Sequence, residues 1–545
     1  MKHLIQKKIL VPVLAFTLFF TGTAFKNDFF EIAKQIEIFT TLFKELNMNY
    51  VDDTNPGDLM DTAIKSMLEN LDPYTNFMNE QDVEAARINN TGDYTGIGAK
   101  IKTLKDKLVI IEPYKDYPAD KAGLKAGDAI IKIGNILVEN HKENAGDLLK
   151  GAPGSTVEVT YKRQGKTQTA NIERAEVEIK AVPHFSLIDE KTGYIVLSRF
   201  NNKAYAETNY ALRDLKAQGA KRIILDLRGN PGGLLNEAIR IVNLFVPKGQ
   251  LIVTTKSKVK KYNRTYYTKN DPIDTEIPLV VLIDGGSASA SEIVSGSLQD
   301  LDRAVIVGSR SFGKGLVQRP KQLTYGTQLK ITISRYYTPS GRCIQALDYW
   351  HRDEKGQAVR VKQENYNTFK TKNGRSVFDG GGILPDEIIN TQKNSAIIKA
   401  IVNDDLIFNY ATNYHYKHDN IKDINNFKLT DADFKDFKMF LKSHHFSFET
   451  ETEKALLNVM EIAKKEELND NIQTDYTTLI TNLEKSKTQV LDENKDHLLE
   501  LLTEEIVKQY VYREGLYEYY KTHDKGMKVA ADILKSPITY AKYLR

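Results

Sequence analysis

The chain has 545 residues, 41% hydrophobic and 27% charged, which is apolar material enough for several ordinary domains. Lys and Arg number 76 against 72 Asp and Glu, a net charge of +4, and so even a balance argues against a nucleic-acid partner. The one cysteine, Cys343, excludes an intrachain disulfide and a cysteine-rich metal site.

Residues 1–25 read as a targeting segment. Lys2, Lys7 and Lys8 precede an apolar core from Ile9 to Phe20, and Gly22-Thr23-Ala24 supplies small residues for cleavage. The core is short for a spanning helix, which needs about 20 residues, so a removed signal peptide is expected rather than a retained anchor. No cysteine follows it, which excludes lipoprotein anchoring. The bulk of the chain is therefore expected in the periplasm or cell envelope, where ATP is scarce.

Residues 26–90 carry helical periodicity. Phe30, Ile32, Ile36, Ile38 and Leu42 form one apolar set, and Leu59, Ala63, Met67 and Leu71 a second. Asn55-Pro56-Gly57 divides the two helices, and Leu71-Asp72-Pro73 ends the second. From 91 to 178 the pattern changes to short strands separated by Gly-rich turns: Gly98 to Ile101, Leu108 to Glu112, Ala129 to Ile133 and Val157 to Lys162. Gly96-Ile97-Gly98-Ala99, followed by Ala-Asp-Lys-Ala-Gly-Leu-Lys-Ala-Gly-Asp (119–128), resembles a PDZ domain. The resemblance implies that this glycine loop receives a peptide's terminal carboxylate on its backbone N–H groups, the peptide lying beside a strand. Asp147 to Lys150 is expected to begin the helix that walls the groove.

From about 193 strands and helices alternate. Tyr194 to Leu197, Ile223 to Leu227 and Leu279 to Ile283 read as strands, and Ala204 to Gln218 and Leu234 to Phe245 as helices. This is an α/β pattern, with functional groups expected where strands end. Arg228-Gly-Asn-Pro-Gly-Gly233 lies at one such end and, as a pattern, is a plain turn. At another, Asp284-Gly285-Gly286 breaks the strand ahead of Ser-Ala-Ser-Ala-Ser-Glu-Ile (287–293). Three readings compete there. Ser289 with Glu292 fits a capping box. Gly308 to Lys314 fits a phosphate loop, although Gly315 stands where that loop needs a hydroxyl. A serine on a strand–turn–helix corner, with Lys314 as base, fits a serine–lysine catalytic pair.

Four signatures in order resemble the carboxy-terminal processing, or tail-specific, proteases. They are Leu-Asp-Leu-Arg-Gly-Asn-Pro-Gly-Gly-Leu (225–234), the serine segment (287–293) with Phe-Gly-Lys-Gly-Leu-Val-Gln (312–318), Ser-Arg-Tyr-Tyr-Thr-Pro-Ser-Gly-Arg (334–342) and Gly-Gly-Gly-Ile-Leu-Pro-Asp (380–386). The match covers roughly the first 390 residues. It implies a serine endopeptidase with Ser289 as nucleophile, Lys314 as base, Gln318 orienting the lysine, and the N–H groups of Gly233 and Ala290 as oxyanion hole. The 25-residue separation of positions 289 and 314 equals the family's serine-to-lysine interval, and that interval selects Ser289 over Ser287 and Ser291. A free lysine titrates near about 10.4, so such a base requires desolvation and distance from carboxylates. Ser309 to Val317 contains no carboxylate.

The expected fold is multidomain α/β. A targeting segment (1–25) and an N-terminal helical region (26–90) precede a β-rich PDZ domain (91–178), a ClpP/crotonase-like protease core (179–390) and a helical C-terminal domain (391–545). The last region carries amphipathic stretches at Leu456 to Lys465, Leu479 to Val490 and Leu498 to Tyr512, with many Lys–Glu pairs. The PDZ domain is expected to select substrates by apolar C-terminal tails. An adaptor protein is a further candidate partner, the resemblance implies a homo-oligomer paired through the N-terminal region, and no cofactor, metal or nucleic acid is expected. The rival reading is a catalytically silent PDZ scaffold, against which the intact Ser289, Lys314 and Gln318 argue. His184, His351, His415 and His418 lack a partner motif. Trp350 and Cys343 read as structural, and Asp226 and Arg228 as packing or turn residues, with Arg228 also a candidate to touch substrate.

Overall fold

A computed structural model describes residues 29–104, 107–141, 145–389, 395–446 and 448–545. The targeting segment expected at 1–25 lies outside them. No described helix is long and apolar enough to cross a membrane. The chain divides into two compact units. In the first, helices α1 (29–49) and α2 (Pro56–Glu69) lead to strand β1 (Asn76–Met78), which pairs antiparallel with Gln328 to Lys330. Pro56 opens α2 at a position where no N–H is needed, and Asn55 caps it by accepting from Gly57 and Asp58.

The second unit begins with helix α3 (Glu80–Thr91), then the β-rich domain. Strands β2 (Asp93–Gly96), β3 (Ala99–Leu104), β4 (Lys107–Pro113), β5 (Ala129–Ile133), β6 (Thr156–Arg163) and β7 (Lys166–Glu173) are followed by β8 (Ala175–Glu178). Five of them order as β3-β4-β5-β6-β7, which leaves β3 an edge strand, and β2 pairs separately with β8. Ile110, Ile130, Val159 and Ile172 alternate inward to form the core. The helix expected from Asp147 is a correction. Ala145 to Leu149 form only a 3₁₀ turn, and Gly151 with Pro153 denies the segment a further helical turn.

The region expected to form the catalytic core is built on a six-stranded sheet. Strands β9 (His184–Asp189), β10 (Thr192–Val196), β11 (Arg222–Asp226), β12 (Leu279–Ile283), β13 (Val305–Gly308) and β14 (Glu387–Ile388) lie in that order. β9 is antiparallel to β10 and the remaining pairings are parallel. Every side chain of β12 is buried, as a central parallel strand covered on both faces requires. One face (Ile195, Ile223, Leu225, Val281, Ile283, Ile306) packs on helices α4 (Ala204–Ala217), α5 (Leu235–Val242) and α6 (Ala290–Asp300). The alternate residues (Tyr194, Val196, Ile224, Val280, Leu282, Val305, Val307) face the other way. That second face is covered by Met527, Ala530, Ala531, Ile533 and Leu534 of a helix near the C-terminus, α10 (Lys525–Lys535).

The C-terminal region therefore does more than extend the core. Its own apolar centre joins α7 (Leu406–Lys417), α8 (Asp431–Ser443) and the long α9 (Lys495–His523) through Phe437, Leu498, Leu502 and Ile506. Helix α9 breaks at Tyr512, at φ 57° and ψ −174°. At the break Tyr512 Oη donates to Asp120 at 2.6 Å, and Arg513 makes a bidentate pair with Glu112 at 2.5 and 3.0 Å. Below it, Asp524 accepts from Arg228 Nη1 at 2.8 Å. One helix thus grips both the β-rich domain and the core sheet, and α10 completes the sheet's packing.

At the far end of α6, Arg342 is buried and donates to Asp300 at 2.7 Å and to Gln299 at 2.8 Å. Removing one member of such a pair strands a buried charge. Arg342→Met is expected to lower stability by about 3–5 kcal/mol. Chemical unfolding of the variant checks this, and an unchanged midpoint would contradict it.

Candidate active site

The site is built where β11 and β12 end. β12 runs into Asp284, whose Oδ1 accepts from Gly229, Gly286 and Ser287 N–H groups at 2.9–3.1 Å, closing the turn. Residues 287–291 then give two hydroxyls to structural duty. Ser287 Oγ donates to Leu227 O at 2.8 Å, and Ser291 Oγ to Asn230 O at 2.9 Å, both fully buried. Ser289 between them is half-buried. Of the three serines that pattern left equivalent, the structure leaves this one accessible.

Ser289 occupies the N-cap of α6, with φ 55° and ψ −110°. That is not the extended backbone of an ordinary capping serine, and such conformations cost of order 1–3 kcal/mol. The surroundings hold it. Its N–H donates to Glu292 Oε2 at 2.8 Å, the acidic half of the capping box, and Ala288 N–H donates to Asn230 O at 3.0 Å. Helix α6 is buried along its whole length, which accounts for its small residues. A Cβ on Gly296 would stand 2.8 Å from Ile383 Cδ1.

Glu292 is the residue that sequence reading missed. Its carboxylate is fully buried and accepts four bonds. Oε1 takes Ser311 Oγ–H at 2.5 Å and Gly313 N–H at 2.7 Å, while Oε2 takes the N–H groups of Ser289 at 2.8 Å and Lys314 at 2.9 Å. One side chain therefore ties residue 289 to residue 314. Burial pushes its pKa up, and the four donors pull against that shift. The capping-box spacing had marked Glu292, but nothing local pointed to the lysine loop.

Lys314 is half-buried in a rigid frame. Gly313 O accepts from Ala346 N–H at 2.9 Å, Gly315 N–H donates to Gln345 Oε1 at 2.7 Å, and Gly315 O accepts from Tyr336 N–H at 2.9 Å. A Cβ on Gly313, at φ 88°, would lie 2.4 Å from Ala346 Cβ, so glycine is required there. The lysine then enters a strand from Leu316 to Gln322, not the helix whose N-terminus a phosphate loop uses. That reading is withdrawn on topology. Gln318 lies on the same strand and donates from Nε2 to Thr332 Oγ1 at 3.2 Å.

The turn after β11 is more than a turn. Asn230 is fully buried; its Nδ2 donates to Leu197 O at 2.6 Å and its Oδ1 accepts Gly232 N–H at 2.9 Å. Gly232 packs directly on the serine corner, where a Cβ would stand 2.6 Å from Ala288 O and 2.9 Å from both Ala290 N and Ser289 Cβ. Phe200 pairs with this loop, donating to Gly232 O at 3.1 Å and accepting from Leu234 N–H at 2.8 Å. Gly233, at φ 146°, is the intervening residue, so its own N–H is directed away from Phe200. Ala290 is the first residue of α6, where an N–H has no partner within the helix. Arg228 is held by Asp226 at 2.7 Å and Asp524 at 2.8 Å, a bracing residue.

The glycine loop of the β-rich domain joins β2 to β3. Gly96, Ile97 and Gly98 are buried and Ala99 opens the edge strand β3. Ile97 O and Gly98 O are engaged from behind, by Ala119 N–H at 2.7 Å and Tyr114 N–H at 2.9 Å. His351 pairs with Asp348 at 2.7 Å on the surface, and His184 contacts Ser186 at 3.0 Å. Trp350, read as structural, is corrected to a surface residue, 84% exposed. Cys343 is half-buried.

The chain matches three family models: "Peptidase family S41" over residues 191–349, "PDZ domain" over 95–173, and "Probable PDZ-protease, C-terminal helical domain" over 397–534. It is 35% identical over 321 residues to a carboxy-terminal-processing protease of Bartonella bacilliformis, covering 58% of this chain and 73% of that one. A probable CtpA-like serine protease of Staphylococcus aureus is 30% identical over 402 residues, 71% of this chain and 79% of that one. Among solved structures, a photosystem II D1 C-terminal processing protease is 27% identical, with 65% of this chain and 92% of that one covered at a TM-score of 0.36.

Two outcomes follow from the geometry. Gly232→Ala forces a methyl group into the serine corner and is expected to lower kcat at least about 100-fold while the melting temperature moves by a few degrees. Steady-state kinetics beside a melting curve check it, and normal turnover would contradict the packing described. Glu504, against Tyr520, Asp524 and Arg228, is pushed up to about 7 by burial. The folded chain thus keeps a proton that the unfolded chain releases near the ordinary carboxyl range. The stabilisation is full below that range and is lost as pH rises through about 7. Glu504→Gln is expected to flatten the fall in melting temperature between about pH 5 and 8, and an unaltered slope would assign it elsewhere.

Proposed function

The chain belongs to peptidase family S41, the carboxy-terminal processing serine proteases with a PDZ domain, and from that premise we propose that it cleaves proteins chosen by their C-terminal tails with a Ser289–Lys314 dyad. The observation that carries the dyad is the shared carboxylate: Glu292 accepts the backbone N–H of both residues, so their frames are fixed to each other. Ser289 Oγ attacks the peptide carbonyl carbon while Lys314 takes the hydroxyl proton. The tetrahedral oxyanion is received by the N–H groups of Gly233 and Ala290, and losing one such donor costs about 3 kcal/mol of barrier. Lys314 returns the proton to the leaving amine as the C–N bond breaks. A water, deprotonated by the same amine, then hydrolyses the acyl-enzyme and restores Ser289. Gln318, a neutral amide on the strand that follows the lysine, suits an orienting role because a carboxylate there would favour the charged amine.

Tail selection falls to the loop of Gly96, Ile97, Gly98 and Ala99, with the tail added to the open edge of β3. Export to the periplasm or envelope follows from residues 1–25. Exposed Phe30, Ile36, Phe39 and Leu42 on α1 support pairing of two copies through that helix.

The test uses an unstructured protein ending in an apolar residue, made with a free and with an amidated C-terminus. The free-acid form is expected to be cut at least about tenfold faster, and Ser289→Ala and Lys314→Ala to lose at least about 10³-fold in kcat. Equal cleavage of the two termini would remove tail reading. Undiminished cleavage by Lys314→Ala would remove the dyad.

A further inference from the structure

One stretch of the chain carries charge out of proportion to the rest. Between Glu237 and Asp271 stand eight Lys and Arg and no carboxylate, in a sequence whose overall balance is only +4. Five of them, Lys256, Lys258, Lys260, Lys261 and Arg264, are exposed around the turn that joins strand Leu251–Lys256 to strand Arg264–Tyr267. The second strand is an edge of its sheet, and residues 258–261 are four successive exposed positions at the tip of the hairpin.

The turn is firmly built. Thr255 Oγ1 donates to Tyr262 O at 2.7 Å and accepts Arg264 N–H at 3.1 Å. Ser257 N–H donates to Asn263 Oδ1 at 2.6 Å, and a 3₁₀ turn, Lys260–Tyr262, closes the loop. Across the sheet Lys256 stands directly opposite Arg335, also exposed, and like charges in that register are destabilising. Among the described residues none of these six cations forms an ion pair with a carboxylate. Lys256 Nζ lies 4.4 Å from the centroid of the Tyr337 ring and Lys261 Nζ 5.3 Å from that of Tyr262. A fixed loop that gathers uncompensated cations costs stability, which an ordinary solvated face of mixed charge does not.

The shape decides between anionic partners. A polypeptide or nucleic-acid strand is held in a groove of directed donors, whereas this is a hairpin tip with an apolar residue, Val259, 47% exposed between two lysines. A lysine stem can lie along hydrocarbon while its ammonium stays in water. Tyr262 and the exposed Tyr267 supply amphipathic rings of the kind that settle at a membrane–water boundary. That combination fits the headgroup layer of an anionic bilayer.

We propose that the turn from Lys256 to Arg264 is a membrane-docking site, its cations taking anionic phospholipid headgroups while Val259 enters the interface. The attachment is independent of residues 1–25 and of the peptide-bond chemistry.

The test is co-sedimentation of the full chain with vesicles of phosphatidylcholine, alone or mixed with phosphatidylglycerol, read as the ratio of anionic to neutral binding. One variant combines Lys258→Gln, Lys260→Gln and Lys261→Gln. A second combines Lys442→Gln, Lys464→Gln and Lys465→Gln, which removes the same charge from exposed helical positions. Each cation at such a surface strengthens binding about fivefold, so the hairpin variant is expected to lower the ratio at least about 30-fold at about 0.1 M salt. Its melting temperature is expected to hold or rise, and the helical variant to keep the native ratio. An unchanged ratio in the hairpin variant, or an equal loss in the helical one, overturns the proposal. So does capture of polyglutamate but not of anionic vesicles through the same lysines, which would assign the turn to an acidic polypeptide.

Discussion

A single buried carboxylate carries the geometry of the candidate active site. Glu292 has four donors and no acceptor among its hydrogen-bond partners, an arrangement that suits the ionised form. Ser311 Oγ already accepts Ile383 N–H at 2.6 Å, which leaves its own proton for Glu292. Desolvation works against this charge, and the ionised group is tolerable only because each lone pair is used. The strained backbone of Ser289, the glycine-flanked frame of Lys314 and the packing of Gly232 on the serine corner all close around that carboxylate. A neutral amide in its place would aim two N–H groups at two others.

The same economy extends outward. The core sheet has two apolar faces, and a strand such as β12 is stable only when both are covered. Helices α4, α5 and α6 cover one, and α10, drawn from more than 240 residues further along the chain than β12, covers the other. The stretch between is therefore tied to the core at its far end. On the way, α9 breaks at Tyr512 and there engages Glu112 and Asp120 of the PDZ domain. A helix that is at once a wall of the PDZ domain and a neighbour of Arg228 gives the C-terminal region a structural task within the protease unit.

Much of this was legible in the sequence, and the divisions are physical. A five-residue apolar run bounded by Asp-Gly-Gly is a strand in any context, and β12 fell where it was expected. Gly96-Ile97-Gly98-Ala99 marked the loop through its resemblance to a PDZ domain. Local spacing also marked Glu292 as a capping residue. It could not show the bonds to Ser311, Gly313 and Lys314, which join segments about 20 residues apart and exist only once the sheet has formed. Nor could the sequence name the surface that α10 covers, since periodicity reports a face and not its partner. The groove helix expected from Asp147 gave way to a 3₁₀ turn because Gly and Pro follow too closely. Trp350 was read as structural for want of a partner motif, and its hairpin holds it in solvent.

The most direct measurement is the rate at which a serine-directed phosphonate labels Ser289, read by intact mass, in the native chain, in Lys314→Ala and in Glu292→Gln. If one carboxylate sets nucleophile and base in place, Glu292→Gln slows labelling at least about 100-fold, approaching Lys314→Ala, although the variant remains folded. Labelling of folded Glu292→Gln at the native rate would contradict the account.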